Sequence, residues 1–263
     1  MSADNHAANP AADSSRRFLF EQADIRGEIA QLGTSLRDML AVHQYAPGVQ
    51  RLLGEFLAAA TLLSTTLKFE GRLILQARSD GQVPLLMAEC SSDLQLRGIA
   101  RGAQLATSGE FDQLLADGTL AITVEPLQGK RYQGIVPLSR HSLAASLDAY
   151  FEQSEQLHTR LWLACDGRTA GGLLLQQLPA QASRDPQWPR VHRAHWLPCH
   201  AVMPYTTYPL HTHRCYQQHV GRRTAFPHRP LGQRLHHNGA TRRPTPRVRV
   251  GALNSSTQNE SRW

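Results

Sequence analysis

Apolar positions along this chain recur with two different periods, and the switch between them marks out the elements. Phe18 and Phe20 alternate within RRFLFEQADIRGEIAQL (residues 16–32), and Ile25 resumes the pattern beyond Ala23-Asp24. This stretch predicts two short strands around a turn. The period then lengthens. Leu36, Met39, Leu40 and His43 fall at helical spacing behind Thr34 or Ser35, either of which can cap a helix. Pro47 suits the first turn of a second helix, where its missing N–H is not needed. That helix carries Val49, Leu52, Leu53, Phe56, Leu57, Ala60, Leu63 and Leu67 on one broad apolar face, which implies burial under a sheet.

Runs of strand character follow, punctuated by turns. Residues 71–78 and 83–90 flank Ser79-Asp80-Gly81, a hairpin signal, and residues 94–101 read as a further strand. Residues 111–115 predict a helical turn. Residues 119–125 and 130–136 form a second hairpin about the stretch from Pro126 to Gly129. Residues 142–153 make an amphipathic helix with Leu143, Leu147, Tyr150 and Phe151 on one side. Residues 157–165 and 170–178 are strands joined through Asp166-Gly167-Arg168. Adjacent hairpins with helices gathered between them define an α+β fold, an antiparallel-sheet core domain with packed helices. No internal repeat is visible.

Composition divides the chain. Hydrophobic residues make up 41% of the 263, and the net charge is +7. Residues 1–185 hold 16 Lys+Arg against 20 Asp+Glu, whereas residues 186–263 hold 12 Arg against Glu260 alone, so the two parts carry −4 and +11. Nine of the 13 His and nine of the 15 Pro also fall in the second part, and apolar periodicity is lost there. A stretch without apolar pattern cannot offset the entropy of ordering itself. Three regions are therefore expected: a disordered N-terminus (1–15), a folded core domain (16–180) and a Pro/His/Arg-rich, poorly folded basic tail (181–263). The first 15 residues lack the apolar segment of a secretory signal, and no run of about 18 apolar residues could span a membrane. Four widely spaced cysteines, Cys90, Cys165, Cys199 and Cys215, argue against a disulfide scaffold. The expected setting is cytoplasmic, with no membrane partner.

Catalytic signatures are lacking. The sequence has no G-x-x-x-x-G-K-[ST], G-x-G-x-x-G, G-x-S-x-G or H-E-x-x-H motif, and Lys68 and Lys130 are its only lysines. A non-enzymatic protein is expected. Cys90 and Cys165 each end a strand-like run, MAEC and LWLAC, where a small buried hydrophobe is the favoured reading over a redox thiol. In the tail, His211, His213, Cys215 and His219 have residue types suited to tetrahedral zinc. Yet nine His within residues 192–237 generate such spacings by chance, and no core is visible to hold them. Arg222-Arg223, Arg242-Arg243 and Arg247-x-Arg249 would bind phosphate backbones non-specifically through counterion release. A nucleic-acid-binding protein acting through this tail is the alternative reading.

KRYQGIVPL and SEQLHTRLWLA, together with RFLFEQADIRGEI, LLGEFLAAATLLSTTLKFEGRLILQ, LLMAECS, LRGIAR and AGGLLLQQL, resemble the Hsp33 family of redox-regulated chaperones. The resemblance runs from Arg16 to Leu178 and departs at His158, where a proline is expected. It implies an N-terminal α/β core, a metastable linker and a C-terminal zinc domain, acting as a holdase for unfolding client proteins, often as a homodimer. In the family, a C-x-C and a C-x-x-C bind zinc as thiolates. Oxidants join those cysteines as disulfides, release the metal and unfold the linker. This sequence contains neither motif, nor the acidic helical linker expected after residue 190. The resemblance thus implies a holdase core without its redox switch, and no cofactor is expected in this chain. Off-frame reading of GC-rich codons yields Arg, Pro, His, Ala and Gly, the composition of the tail, and a frameshift near Val191 is the expected origin. A natural basic extension is the alternative. The gene's nucleotide sequence decides: an intact C-x-C…C-x-x-C in another frame downstream of codon 191 is expected, and its absence would refute the shift.

Overall fold

A computed structural model describes residues 13–20, 25–67, 70–155 and 158–178 of the chain. Strands β1 (Ser14–Phe20), β2 (Ile25–Leu32), β8 (Thr159–Cys165) and β9 (Ala170–Gln177) form one antiparallel sheet in the order β1-β2-β9-β8. Strands β3 (Gly71–Ser79), β4 (Leu85–Ser91), β5 (Leu96–Arg101), β6 (Gly118–Pro126) and β7 (Tyr132–Pro137) form a second, in the order β5-β4-β3-β6-β7. Helices α1 (Thr34–Val42), α2 (Pro47–Thr66), α3 (Phe111–Leu114) and α4 (Leu143–Tyr150) complete the α+β architecture. The strands and helices fall where the apolar periods place them, with ends shifted by one to three residues.

Helix α2 is the centre. It packs on β2, β8 and β9 of one sheet and on β3, β4 and β5 of the other. Sixteen of its 20 residues are buried, among them Val49, Leu53, Phe56, Leu57 and Leu62 with no exposed surface. The expected burial under a sheet is thus burial between two. A helix so enclosed must satisfy its polar groups internally. Thr61, Thr65 and Thr66 donate to the carbonyls of Leu57, Leu62 and Leu63 at 2.8, 2.8 and 2.7 Å, and Ser64 donates to Ser91 O at 3.1 Å. Small residues let the layers close. A Cβ on Gly172 would stand 2.6 Å from Leu62 Cδ1, and one on Gly54 would stand 2.4 Å from Cys165 Sγ.

Two local features differ from the pattern. The N-terminus of α1 receives no cap from Thr34 or Ser35. It is held instead by Asp13, whose carboxylate accepts from Gly33 N at 2.7 Å, Ser35 N at 3.0 Å and Ser35 Oγ at 2.6 Å. Asp13 is 8% exposed and β1 begins at Ser14, so residues 13–15 belong to the fold although they lie within the segment expected to be disordered. Their polarity hid them: they contribute a cap and hydrogen bonds, and no apolar pattern. The strand expected from residue 94 begins at Leu96. Leu94 adopts a positive φ of 63° in a turn where Ser91 Oγ accepts from Gln95 N at 2.9 Å, while its side chain stays buried. The rest of the expected disordered N-terminus and of the tail (181–263) lies outside the described residues.

Truncating the central helix tests this arrangement. Phe56→Ala should lower the free energy of unfolding by about 3–5 kcal/mol, the usual cost of a large core cavity. Gly172→Ala should lower it by about 1–3 kcal/mol through overpacking against Leu62. Urea unfolding followed by far-ultraviolet circular dichroism measures both, and values within 0.5 kcal/mol of the parent chain would contradict the central position of α2.

Candidate functional site

The two thiols of the core are placed for burial and kept apart from each other. Cys90, at the end of β4, is fully buried against α2, and loss of solvation pushes its thiol up to about 12 despite hydrogen bonds with Ser64 and Thr61. Cys165, at the end of β8, packs on Gly54 on the other side of α2. Burial likewise pushes its thiol up to about 12. Both thiols therefore stay protonated and weakly nucleophilic near neutral pH. A helix about 10 Å across separates them, well beyond the 4.4–6.8 Å between Cα atoms of a disulfide. The small-hydrophobe role expected for both is the one they occupy. No three His, Cys, Asp or Glu side chains among the described residues come together in a group able to hold a metal. The core cysteines thus do not fit a zinc site of the family's kind, and His211, His213, Cys215 and His219 lie outside the described residues.

Among the histidines, His43 closes α1 with its ring 5.5 Å from that of Tyr45, and His141 is exposed in the loop before α4. His158, the departure from the family wording, precedes β8 and accepts from Gln177 N through its carbonyl at 2.9 Å. The replacement leaves β8 intact from Thr159.

Two buried carboxyls escaped the reading of motifs. Asp148 on α4 accepts from Leu161 N at 2.9 Å and pairs with Arg160 at 3.0 Å, tying the helix to β8. Desolvation still raises its pKa to about 6. Glu55 lies on α2, one turn after Arg51, and its pKa is raised to about 7 by burial, opposed by the Arg51 charge. Its residue surface is partly open while its carboxyl is enclosed, so solvent screening moderates the energy at stake. The available signal was a single acid in an otherwise apolar helix face, four residues from an arginine.

The other conspicuous feature is a surface. The strands of the five-stranded sheet turn Leu73, Leu75, Ala77, Leu86, Ala88, Cys90, Leu120 and Ile122 toward α2. Alternation therefore sends the intervening residues outward. Cross-strand register sets Ile99, Met87, Gln76, Ala121 and Ile135 in one outer row. The neighbouring rows read Arg97, Glu89, Ile74, Thr123, Gln133 and Arg101, Leu85, Arg78, Thr119, Pro137. No described helix packs on these rows. Ile135 is 63% exposed on an edge strand, and Leu127, in the adjoining turn, is 77% exposed. The four-stranded sheet has an outer cluster too, of Phe18, Ile25, Ile29, Trp162, Leu173 and Leu175, but Ile25, Leu173 and Leu175 are buried. The face is thus broad and mixed, with an apolar middle row bordered by charged and polar positions.

The sign of the Glu55 effect follows from linkage. A carboxyl whose pKa is higher in the folded than in the unfolded chain opposes folding once ionised. That penalty is full above about pH 7 and is lifted as pH falls towards 4.5, the ordinary value. Stability should rise on acidification across this window, and Glu55→Gln should flatten the rise by on the order of 2 kcal/mol. Urea midpoints at a series of pH values measure it; an identical slope in the variant would contradict the assignment.

Comparison with known proteins accounts for this architecture. The family model described as Hsp33 protein matches residues 13–201. A 33 kDa chaperonin of Pseudomonas paraeruginosa is 54% identical over 178 residues, covering 67% of this chain and 60% of that protein. Its counterpart in Pseudomonas syringae pv. tomato is 55% identical over 180 residues, with 68% and 60% covered. The chain thus spans 60% of the length of these relatives. The crystal structure of a 33 kDa chaperonin from Thermotoga maritima superposes with a TM-score of 0.56 at 20% identity, covering 64% of this chain and 62% of that one, and shares its fold. Among the described residues, no helix is long and apolar enough to cross a membrane. From the strand begun beside Asp13 to beyond the last described strand, this chain belongs to the Hsp33 family.

Proposed function

We propose that the chain is a chaperone of the holdase type, binding unfolding proteins through the outer face of its five-stranded sheet without a redox trigger. The observation that carries this reading is the outward row Ile99, Met87, Gln76, Ala121 and Ile135, apolar but for Gln76, in which Ile135 is exposed and the others are partly exposed. Apolar side chains on an open sheet face gain by covering one another with those of an unfolded chain, and this needs no motif and no fixed substrate shape. Independence from oxidants rests on the thiols. The sequence has neither a C-x-C nor a C-x-x-C, and the two core cysteines are buried as protonated thiols on opposite sides of α2. Peroxide therefore meets no thiolate pair in the core that could be converted into a disulfide.

The clients implied are partly unfolded proteins of the cytoplasm, and the +11 region after residue 185 adds non-specific affinity for polyanions. Light scattering from a thermally unfolding client is the test. The chain at equimolar ratio should suppress aggregation equally with and without prior peroxide treatment. Ile135→Asp, which places a charge at the exposed end of the apolar row, should weaken suppression severalfold while leaving the circular dichroism spectrum unchanged. Absence of any suppression would refute the holdase reading, and suppression only after peroxide would refute its constitutive character.

A further inference from the structure

Charge on the core domain is segregated, and the segregation bears on which segments the sheet face takes. Residues 1–185 carry a net −4, yet the outward positions of β3 to β6 hold Arg72, Arg78, Arg97 and Arg101 against only Glu89 and Glu125. Both glutamates are already engaged by Arg72, Glu89 at 3.6 Å and Glu125 by a short hydrogen bond. Arg131 adds a second cation beside Glu125 at 4.0 Å. Arg78, Arg97 and Arg101 have no carboxylate partner among the described residues, and all three are exposed. Arg101 and Arg78 flank Leu85 in one row; Arg97 stands in the row on the other side of Ile99 and Met87. The apolar row is thus bordered by unneutralised guanidinium groups along its β3 to β5 half.

We infer that this face prefers unfolded segments in which apolar residues are flanked by Asp and Glu. The inference rests on the holdase reading and narrows its substrate class. Apolar side chains of the client cover Ile99, Met87 and Ile135, while its carboxylates meet Arg78, Arg97 and Arg101, whose planar guanidinium groups donate to carboxylate oxygens in bidentate fashion. Electrostatic complementarity of this kind sets partner choice and encounter rate more than total affinity. Strongly basic segments, such as one of net charge +11, are disfavoured by the same arginines. A nucleic acid fits less well. Single strands bind where bases can stack on aromatic rings between cationic groups, and the three outer rows contain no aromatic residue.

The full chain is titrated with fluorescein-labelled synthetic peptides of identical apolar content, flanked by Asp/Glu, by Lys/Arg or by Ser, and binding is followed by anisotropy. The acidic peptide should bind roughly tenfold more tightly than the neutral one at low salt, with the gap closing near 0.5 M salt. Because the tail itself attracts acidic peptides, the deciding comparison is Arg78→Glu/Arg101→Glu, which leaves the tail unchanged and should abolish most of the preference. Arg97→Gln/Arg101→Gln, a milder change, should reduce it in the same direction, and circular dichroism verifies that both variants fold. An unchanged preference in both variants assigns it to the tail and overturns the inference. A single-stranded oligonucleotide that loses as much affinity as the acidic peptide overturns it as well, since the face is then a general polyanion site. Binding of the neutral peptide keeps the two readings distinguishable: if it persists while the preference is absent, only this inference fails; if no peptide binds, the holdase reading itself fails.

Discussion

Burial of α2 on all sides is the constraint from which the rest of the structure follows. One 20-residue helix supplies the surface that both sheets cover, so each sheet must offer it one continuous apolar face. That requirement sets strand register, because a slip of one residue would present the outward set to the helix. It also sets where side chains must be missing. Gly54 on the helix, Gly172 on β9 and Gly98 on β5 sit where a Cβ would meet a neighbour within 3.0 Å, respectively Cys165, Leu62 and Met39. The hydroxyls of Thr61, Thr65 and Thr66 return to their own helix, leaving no buried polar side-chain atom unpaired among the described residues.

The same helix decides the chemistry of the core. It stands between Cys90 and Cys165 and removes water from both, so the thiols are neither paired nor ionised. It also holds Glu55 beside Arg51, where desolvation outweighs the attraction of the guanidinium and the carboxyl titrates near neutrality. Catalytic sites use such displaced groups in convergent sets with a nucleophile, a base and an orienting partner. Here Asp148 pairs with Arg160 and ties α4 to β8, Cys90 lies against Ser64 and Thr61, and Cys165 lies near Glu55 and Arg51. Desolvation is the largest cause of each of these shifts.

Most elements were legible because local chemistry and apolar period agreed. Ser79-Asp80-Gly81 and Asp166-Gly167 mark turns, and Pro47 marks the start of α2, as the structure has them. Less legible was everything that depended on distant partners. Pairing of β2 with β9 and of β3 with β6 joins segments with helices or hairpins between them, and nothing local encodes those choices. Asp13 lies in a polar stretch, so its role as the cap of α1 is visible only once β1 brings it beside Gly33. Leu94 breaks its strand through a turn built by Ser91 and Asp93, a side-chain effect that hydrophobic alternation does not report. The outward rows were hidden for the same reason: a period of two tells which residues share a face, but register across five strands is needed to see Ile99, Met87 and Ile135 in one line.

Those outward positions are also the ones the fold leaves free. Once α2 has claimed the inner residues, any soluble residue with strand propensity would satisfy the sheet on its outer side. Edge strands in particular gain by carrying lysine, other charges or proline outward, because an unguarded apolar edge invites pairing with foreign chains. Edge strand β7 carries Pro137 outward yet also presents Ile135 at 63% exposure, and β5 sets Ile99 between Arg97 and Arg101. Neither choice adds to packing against α2. An exposed isoleucine is a liability for a protein that must avoid other polypeptides and an asset for one that must hold them. In the holdase reading, Arg97 and Arg101 beside Ile99 would keep the face hydrated while free, and their stems would add apolar cover to a bound segment.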